Sequence, residues 1–223
     1  MYIYQLDRIL LKQQIARFSS YITGDVLDVG GGEKNRYQKL FTYKTYKRLD
    51  IYEGDDVDIV ASADDIPCPD ASFDSVLSTQ VLEHVQYPEK VAQEMYRVLK
   101  EGGHALITAP QWNELHEEPH DYWRYTKFGL RDLFERNGFS TVVCDQRGGY
   151  FSNREQMRMR FLMDKYRLYK RPVLGRLAAR IFKVRGFLAL WRDRRDTSIA
   201  NRKHAIGWCF VFKKAGKNDS KPH

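Results

Sequence analysis

Val26-Leu27-Asp28-Val29-Gly30-Gly31-Gly32 is the stretch on which the reading of this chain turns. A short β-rich run enters three glycines, and a polar segment carrying Tyr37, Leu40 and Phe41 follows as a predicted helix. Strand, glycine turn and helix in that order mark the place where an α/β sheet lets its backbone approach a ligand. Glycine is needed there because a Cβ would hold the chain off that ligand. Asp50 stands twenty residues beyond Gly30, in Arg48-Leu49-Asp50-Ile51 at the end of the next predicted strand. A carboxylate at that point can accept hydrogen bonds from both hydroxyls of a ribose. Three glycines alone fit a tight turn equally well. The glycine–acid pair also fits a nicotinamide dinucleotide, so spacing does not choose the cofactor.

Working outward, Leu6, Ile9, Leu10, Ile15 and Phe18 predict a helix over Tyr2–Tyr21, broken by Thr23-Gly24. Further strands are expected at 46–51, 57–61, 75–78, 104–109 and 139–144. A helix is expected from Pro88 to Leu99, stopped by Gly102-Gly103, and another from the Thr126 cap to about Asn137. This βαβ spacing predicts an α/β fold whose mostly parallel sheet has helices on both faces. Between Asn153 and Asp196 the pattern becomes two or three basic amphipathic helices around a break at Pro172 and Gly175. Ile206–Phe212 reads as a last strand and Lys213–His223 as a frayed polar tail. The expected organisation is a single domain over 1–223. It has an N-terminal helix (1–23), a ligand-binding core (24–150), a basic helical insertion (151–200), a final strand (201–215) and a tail (216–223).

Hydrophobic residues at 43% and aromatic residues at 13% supply a core and argue against disorder. No apolar run approaches the roughly 18 residues a bilayer span requires. Asp7, Arg8 and Lys12 interrupt any secretory leader. Cys68, Cys144 and Cys209 lie far apart without a CxxC pair, as reduced residues of a cytoplasmic protein do. The net charge of +8 divides unevenly, with −7 over residues 1–153, +10 over 154–196 and +5 over 197–223. An acidic body joined to a basic part implies different tasks for the two.

Six segments in series carry a resemblance. They are Val26–Gly32, Leu49-Asp50, Ala63-Asp64-Asp65-Ile66-Pro67, Ser72-Phe73-Asp74-Ser75-Val76, Val81-Leu82-Glu83-His84-Val85 and Arg97–Gly103. Their order over residues 24–145 resembles the class I S-adenosylmethionine-dependent methyltransferases, in the small-molecule, methyltransferase type 11-like branch. The resemblance implies a Rossmann-like seven-stranded sheet with its last strand antiparallel, and S-adenosylmethionine as cofactor. It implies that Asp28, Gly30, Gly31 and Gly32 shape the methionine end and that Asp50, beside Ile51, holds the ribose. Ser62, Ala63 and Asp64 would flank the adenine, Thr79 and Gln80 would line the floor, and His84, beside Glu83, would shape the pocket. Two positions depart from the family's pattern. Lys34 stands where a further glycine is common, and Ser62 where an Asp is common. Phe73, Val76, Leu77, Val81 and Leu82 are read as core. Some relatives hold a divalent cation through a glutamate, a Glu-His pair and a distant histidine. Here Gln80 replaces the leading glutamate, and no metal is expected.

The loop Pro110–Thr126 holds two histidines, four acids, an arginine and four aromatics, a mixture that a purely structural loop seldom needs. His116 and the run from Pro119 to Thr126 resemble a subset of these enzymes associated with glycans and surface polysaccharides. For a hydroxyl acceptor the chemistry needs a base. His120 is the first candidate, oriented by Asp121 or Glu118, with His116 in reserve. Trp112, Tyr122, Trp123 and Tyr125 offer rings to a sugar or aromatic acceptor, and Arg124 offers a clamp for phosphate or carboxylate. The acceptor is expected to be a small molecule, glycan or glycolipid intermediate, methylated on oxygen. The basic helices over 154–196 fit a lid whose apolar face packs on the sheet, a peripheral contact with an anionic membrane, or, less well, a nucleic-acid platform. An RNA methyltransferase and a non-catalytic cofactor-binding module therefore stay open as alternatives. The sequence does not give the oligomeric state.

Overall fold

The computed structural model describes residues 5–32 and 37–215. They form two compact units, one of residues 5–13, 111–114 and 146–207, the other of residues 14–32, 37–110, 115–145 and 208–215.

The second unit is built on a seven-stranded sheet. Its strands are β1 (Asp25–Val29), β2 (Thr45–Asp50), β3 (Ile59–Val60), β4 (Phe73–Thr79), β5 (Leu99–Pro110), β6 (Phe139–Arg147) and β7 (Gly207–Lys214), in the order β3-β2-β1-β4-β5-β7-β6. β1 pairs in parallel with β2 and β4, β2 with β3, and β4 with β5. β7 runs the other way. On its β6 side, Ile206 N–H donates to Arg147 O while the Ser140 hydroxyl donates to Lys213 O. Toward β5, Gln111 N–H donates to Ile206 O at one end and the Lys214 ammonium reaches Leu99 O at the other. The expected antiparallel last strand is present. It is apolar on both sides, because Trp208 to Phe212 are all buried, with Phe210, Phe212 and Phe134 stacked in a row.

The chain leaves β1 toward β2 and β3, then returns to the other side of β1 as β4. Strand order therefore reverses between β1 and β4, and the crevice beyond their carboxyl ends is where such sheets bind ligands. The helix α2 (Pro88–Val98) starts with proline in its first turn and buries Val91, Ala92, Met95 and Val98. A later helix, α3 (Lys127–Glu135), is capped by the Thr126 hydroxyl, which accepts from Gly129 N–H at 3.1 Å, and Gly138 closes it at φ +92°.

Two expectations change here. Gly102-Gly103 does not stop α2. The helix ends at Val98, and both glycines lie inside β5, where the register slips between Phe73↔Leu99 and Ser75↔His104. Gly102, at φ +75°, carries the bulge. Around Tyr37, Leu40 and Phe41, the described residues show a single 3-10 turn, Gln38–Leu40, with Phe41 already extended. Glu33–Arg36 lie outside the described residues, and the expectation for Lys34 with them.

The first unit is helical, with α4 (Tyr150–Lys165), α5 (Pro172–Arg195) and α6 (Ile199–Arg202). Leu6, from the start of α1 (Leu6–Arg17), packs with Met159, Met163 and Phe182 as its core. The expected break between the basic helices falls between Lys165 and Pro172, and Gly175 does not take part in it. Pro172 occupies the first turn, where its missing N–H costs nothing, and Gly175 is buried within α5. Asp193 on α5 caps α4, accepting from Gly149, Phe151 and Ser152 N–H at 3.0–3.1 Å, while Asn201 Oδ1 accepts from Tyr150 N–H. Arg147 is buried and pairs with Asp7 at 2.8 Å, and Glu155 pairs with Arg185.

Candidate functional site

The crevice at the end of β1 is shaped by a left-handed turn. Gly30 and Gly32 take φ of +72° and +63°, and Gly30 and Gly31 N–H both donate to Leu49 O at the end of β2. A Cβ on Gly30 would sit 2.3 Å from Val81 Cγ2, so this glycine is required by both conformation and space. A Cβ on Gly32 would meet nothing within 4 Å among the described residues, which leaves its backbone open to a ligand.

Tyr46, Arg48 and Asp50 alternate along β2 and reach the turn from one face. Asp50 Oδ2 accepts from Gly32 N–H at 2.9 Å and Oδ1 from Tyr52 N–H at 3.1 Å. Arg48 donates to Gly32 O at 3.2 Å, and Tyr46 donates its hydroxyl proton to Asp28 Oδ2 at 2.7 Å. Asp28 Oδ1 is buried and has no hydrogen-bond partner among the described residues. Burial pushes the Asp28 carboxyl up to about 7, against the lowering effects of the Tyr46 hydroxyl and the Arg48 charge. Sequence reasoning missed Tyr46 and Arg48. The signal for them was the period of two leading to Asp50.

The other expected cofactor residues border the same crevice. Ile51 is 62% exposed just past Asp50, leaving apolar surface uncovered. Ala61 N–H donates to Asp50 O, bringing Ser62-Ala63-Asp64 alongside, and the Ser62 hydroxyl donates to Asp64. Thr79 ends β4, and Gln80 follows at φ +57°, strain of the kind that collects at functional sites. Gln80 is held there by Thr108, whose carbonyl accepts from its N–H and whose hydroxyl accepts from its amide. Of the five residues read as core, Phe73, Val76, Leu77 and Leu82 are buried, whereas Val81 is half-buried against Gly30.

Residues 116–125 are strapped to residues 82–85. Tyr122 and Trp123 N–H donate to Glu83 O, Trp123 Nε1 donates to Val85 O, and the Tyr125 hydroxyl donates to Leu82 O. Trp123 and Tyr125 thus tie the loop down, although Trp123 and Tyr122 keep over two-fifths of their surface exposed. His84 Nδ1 lies 2.7 Å from His120 O and donates to it, while Nε2 faces the Glu117 and Glu83 carboxylates at 3.8 and 4.0 Å.

The polar partners differ from those expected. Asp121 does not orient His120. Its carboxylate is bound bidentately by Arg124 at 2.6 and 2.8 Å, accepts from His116 N–H, and lies 3.4 Å from His116 Nδ1. The Arg124 guanidinium holds that carboxyl well below the usual carboxylate range. Arg124 is therefore engaged within the loop and is not poised as a clamp. His120 is exposed, with its Nδ1 3.2 Å from the Tyr122 hydroxyl. Of the two loop histidines, His116 is the one beside the Asp121 carboxylate, and its ring meets that of His84 edge-on at 4.8 Å. Glu83, His84 and His116 also bring ligand atoms within 4.8 Å of one another, a spacing a metal ion can bridge. Trp112 belongs to the helical unit, where its N–H donates to Ile206 O.

A mostly parallel sheet with this strand order and an antiparallel β7, a left-handed glycine turn and an acid at the end of β2 define the Rossmann-like methyltransferase fold. Residues 27–107 match the methyltransferase domain family, and through that segment the chain is similar to the class I S-adenosylmethionine-dependent methyltransferases. It is 32% identical over 108 residues to an uncharacterized protein of Methanocaldococcus jannaschii, covering 45% of this chain and 52% of that one. It is 37% identical over 65 residues to a "Probable S-adenosylmethionine-dependent methyltransferase" of Mycolicibacterium smegmatis, covering 29% and 23%. The match thus spans about half the length of the first relative and under a quarter of the second. Among solved structures, the 1,6-didemethyltoxoflavin-N1-methyltransferase of Burkholderia thailandensis shares the fold, with a TM-score of 0.57, 13% identity, and coverage of 95% of this chain and 79% of that one.

Proposed function

We propose that this chain transfers a methyl group from S-adenosylmethionine to an oxygen of a small molecule, glycan or glycolipid intermediate. The observation that carries the reading is the Gly30–Gly32 turn with Asp50 fixed against it and the buried Asp28 Oδ1, unpartnered among the described residues. These residues fit the cofactor. Asp50 uses one lone pair of each oxygen on backbone N–H groups and keeps others for ribose hydroxyls. Asp28 offers an oxygen to an ammonium group, and Ile51 offers apolar cover to an adenine above Ser62, Ala63 and Asp64.

When bound, the cofactor supplies a methyl group already activated on a sulfonium. The chain's task is to set a nucleophile in line with it and to take a proton. His116, steadied by Asp121, is the base in this reading, accepting the acceptor hydroxyl's proton. His120, beside the Tyr122 hydroxyl, is the second candidate. The exposed faces of Tyr122 and Trp123 suit stacking on a sugar ring.

Calorimetry with S-adenosylmethionine and S-adenosylhomocysteine tests the cofactor step. Micromolar binding that Asp50→Ala abolishes is the expected result, followed by radiolabelled methyl transfer in a screen of glycans and lipid-linked sugars. Binding to neither ligand would refute the reading.

A further inference from the structure

The helix α5 turns an apolar face away from its own packing. At about 100° per residue, Phe182, Gly186 and Ala189 share the side that is buried. Leu177, Ile181, Val184, Phe187, Leu188 and Trp191 fall on the opposite side and are 45–67% exposed. The expectation of a lid with its apolar face packed inward thus covers only the smaller of two apolar arcs. Arg180 falls within this arc, between Phe187 and Trp191, yet an exposed apolar arc of this extent still marks an interaction surface. α5 carries seven Arg or Lys residues and one acid, Asp193, which is engaged at the start of α4. Lys183 and Arg194 lie along one flank of the row and Arg192 along the other, while the Arg195 guanidinium covers the Trp191 ring at 4.5 Å.

We infer that α5 docks flat on a bilayer surface bearing anionic headgroups, its apolar row entering the acyl boundary and its flanking cations meeting the phosphates. The charges select this occupant. A second copy seated face to face would set cationic flanks together without an acid to answer them. A nucleic acid would use the cations and leave Leu177, Val184 and Phe187 in water. A bilayer uses both features at once. The helix is about 36 Å long at 1.5 Å per residue, and among the described residues no helix is long and apolar enough to cross a membrane. The mode is therefore surface attachment, with Trp191 among arginines at the helix end as aromatic and basic anchors of an interface.

The test is co-sedimentation of the full chain with vesicles of phosphatidylcholine alone, or with about 30% phosphatidylglycerol, at fixed salt. Binding is expected to be about tenfold stronger to the anionic vesicles and to weaken as salt rises. Leu177→Ser with Phe187→Ser should reduce it about tenfold with the melting temperature unchanged, because both side chains already face out. Lys183→Glu with Arg194→Glu should abolish only the preference for phosphatidylglycerol. If the serine pair shifts the melting curve, Val184→Ser is read instead. Equal absence of binding to both vesicles overturns the inference. So does a dimer in sedimentation that the serine pair dissolves, or RNA binding lost on charge reversal with no anionic-vesicle preference.

Discussion

The Tyr46 hydroxyl donates a 2.7 Å hydrogen bond to one oxygen of Asp28, while the other oxygen of that carboxyl is buried and unpartnered among the described residues. Burial outweighs the Tyr46 hydrogen bond and places the carboxyl near 7, above its ordinary 3.8. The folded chain then holds this proton more tightly than the unfolded chain. The contribution to stability is complete below about pH 4 and is lost as pH rises toward 7. Asp28→Asn should flatten that loss, which amounts to up to about 4 kcal/mol, in urea titrations across the range. Affinity for the cationic cofactor should climb between about pH 6 and 8 as Asp28 ionises, and should stay level in the variant. A pH-independent affinity in the native chain would count against this use of Asp28.

The contact between Gly30 and Val81 makes a paired test. Gly30→Ala forces a left-handed alanine and a 2.3 Å collision, and should destabilise by about 2–4 kcal/mol. Adding Val81→Ala removes the collision and should recover part of that loss. Gly32→Ala meets no neighbour and should cost only about 1–2 kcal/mol of backbone strain, while weakening the cofactor at least as much as Gly30→Ala does. Thermal melting and calorimetry on the same variants separate the two effects.

For the loop, His116→Ala is expected to lower kcat about a hundredfold or more with cofactor affinity nearly unchanged, and His120→Ala to lower it by much less. Asp121→Asn should lower kcat with cofactor affinity nearly unchanged, because it loosens His116 and releases Arg124. Dialysis against EDTA should leave the rate unaltered. A rate lost on chelation and restored by a divalent ion would instead assign Glu83, His84 and His116 to a metal.

In the helical unit, Asp193→Ala strips three backbone N–H groups at the start of α4 of their acceptor. The loss should be about 2 kcal/mol in urea unfolding, with Asp193→Asn recovering some of it. An unchanged midpoint would mean that water caps the helix as well.

The run from Val26 to Gly32 and the acid at Asp50 were legible because they stand in order with four further segments, whereas the glycine turn alone fits a plain tight turn equally well. The start of β5 was not, because Lys100–Gly103 reads as a helix stop unless the bulge opposite Asp74 is known. Pairings inside the acceptor loop were hidden for a different reason. Arg124 and Asp121, three residues apart, satisfy each other, and no pattern of residue types says which of several nearby charges will do so. Periodicity showed that α5 has apolar residues at helical spacing. Which arc is covered depends on α4 and Leu6, which lie elsewhere in the sequence.

The alternation of Tyr46, Arg48 and Asp50 ties the ligand crevice to the pairing of β2 with β1. A slip of one residue along that ladder would carry all three side chains to the far face together. A population of misthreaded molecules would then look folded by circular dichroism and yet be silent toward the cofactor. Titrating active fraction, not helix content, is thus the sensitive gauge of whether a preparation, or a redesigned β1–β2 connection, has threaded its sheet correctly.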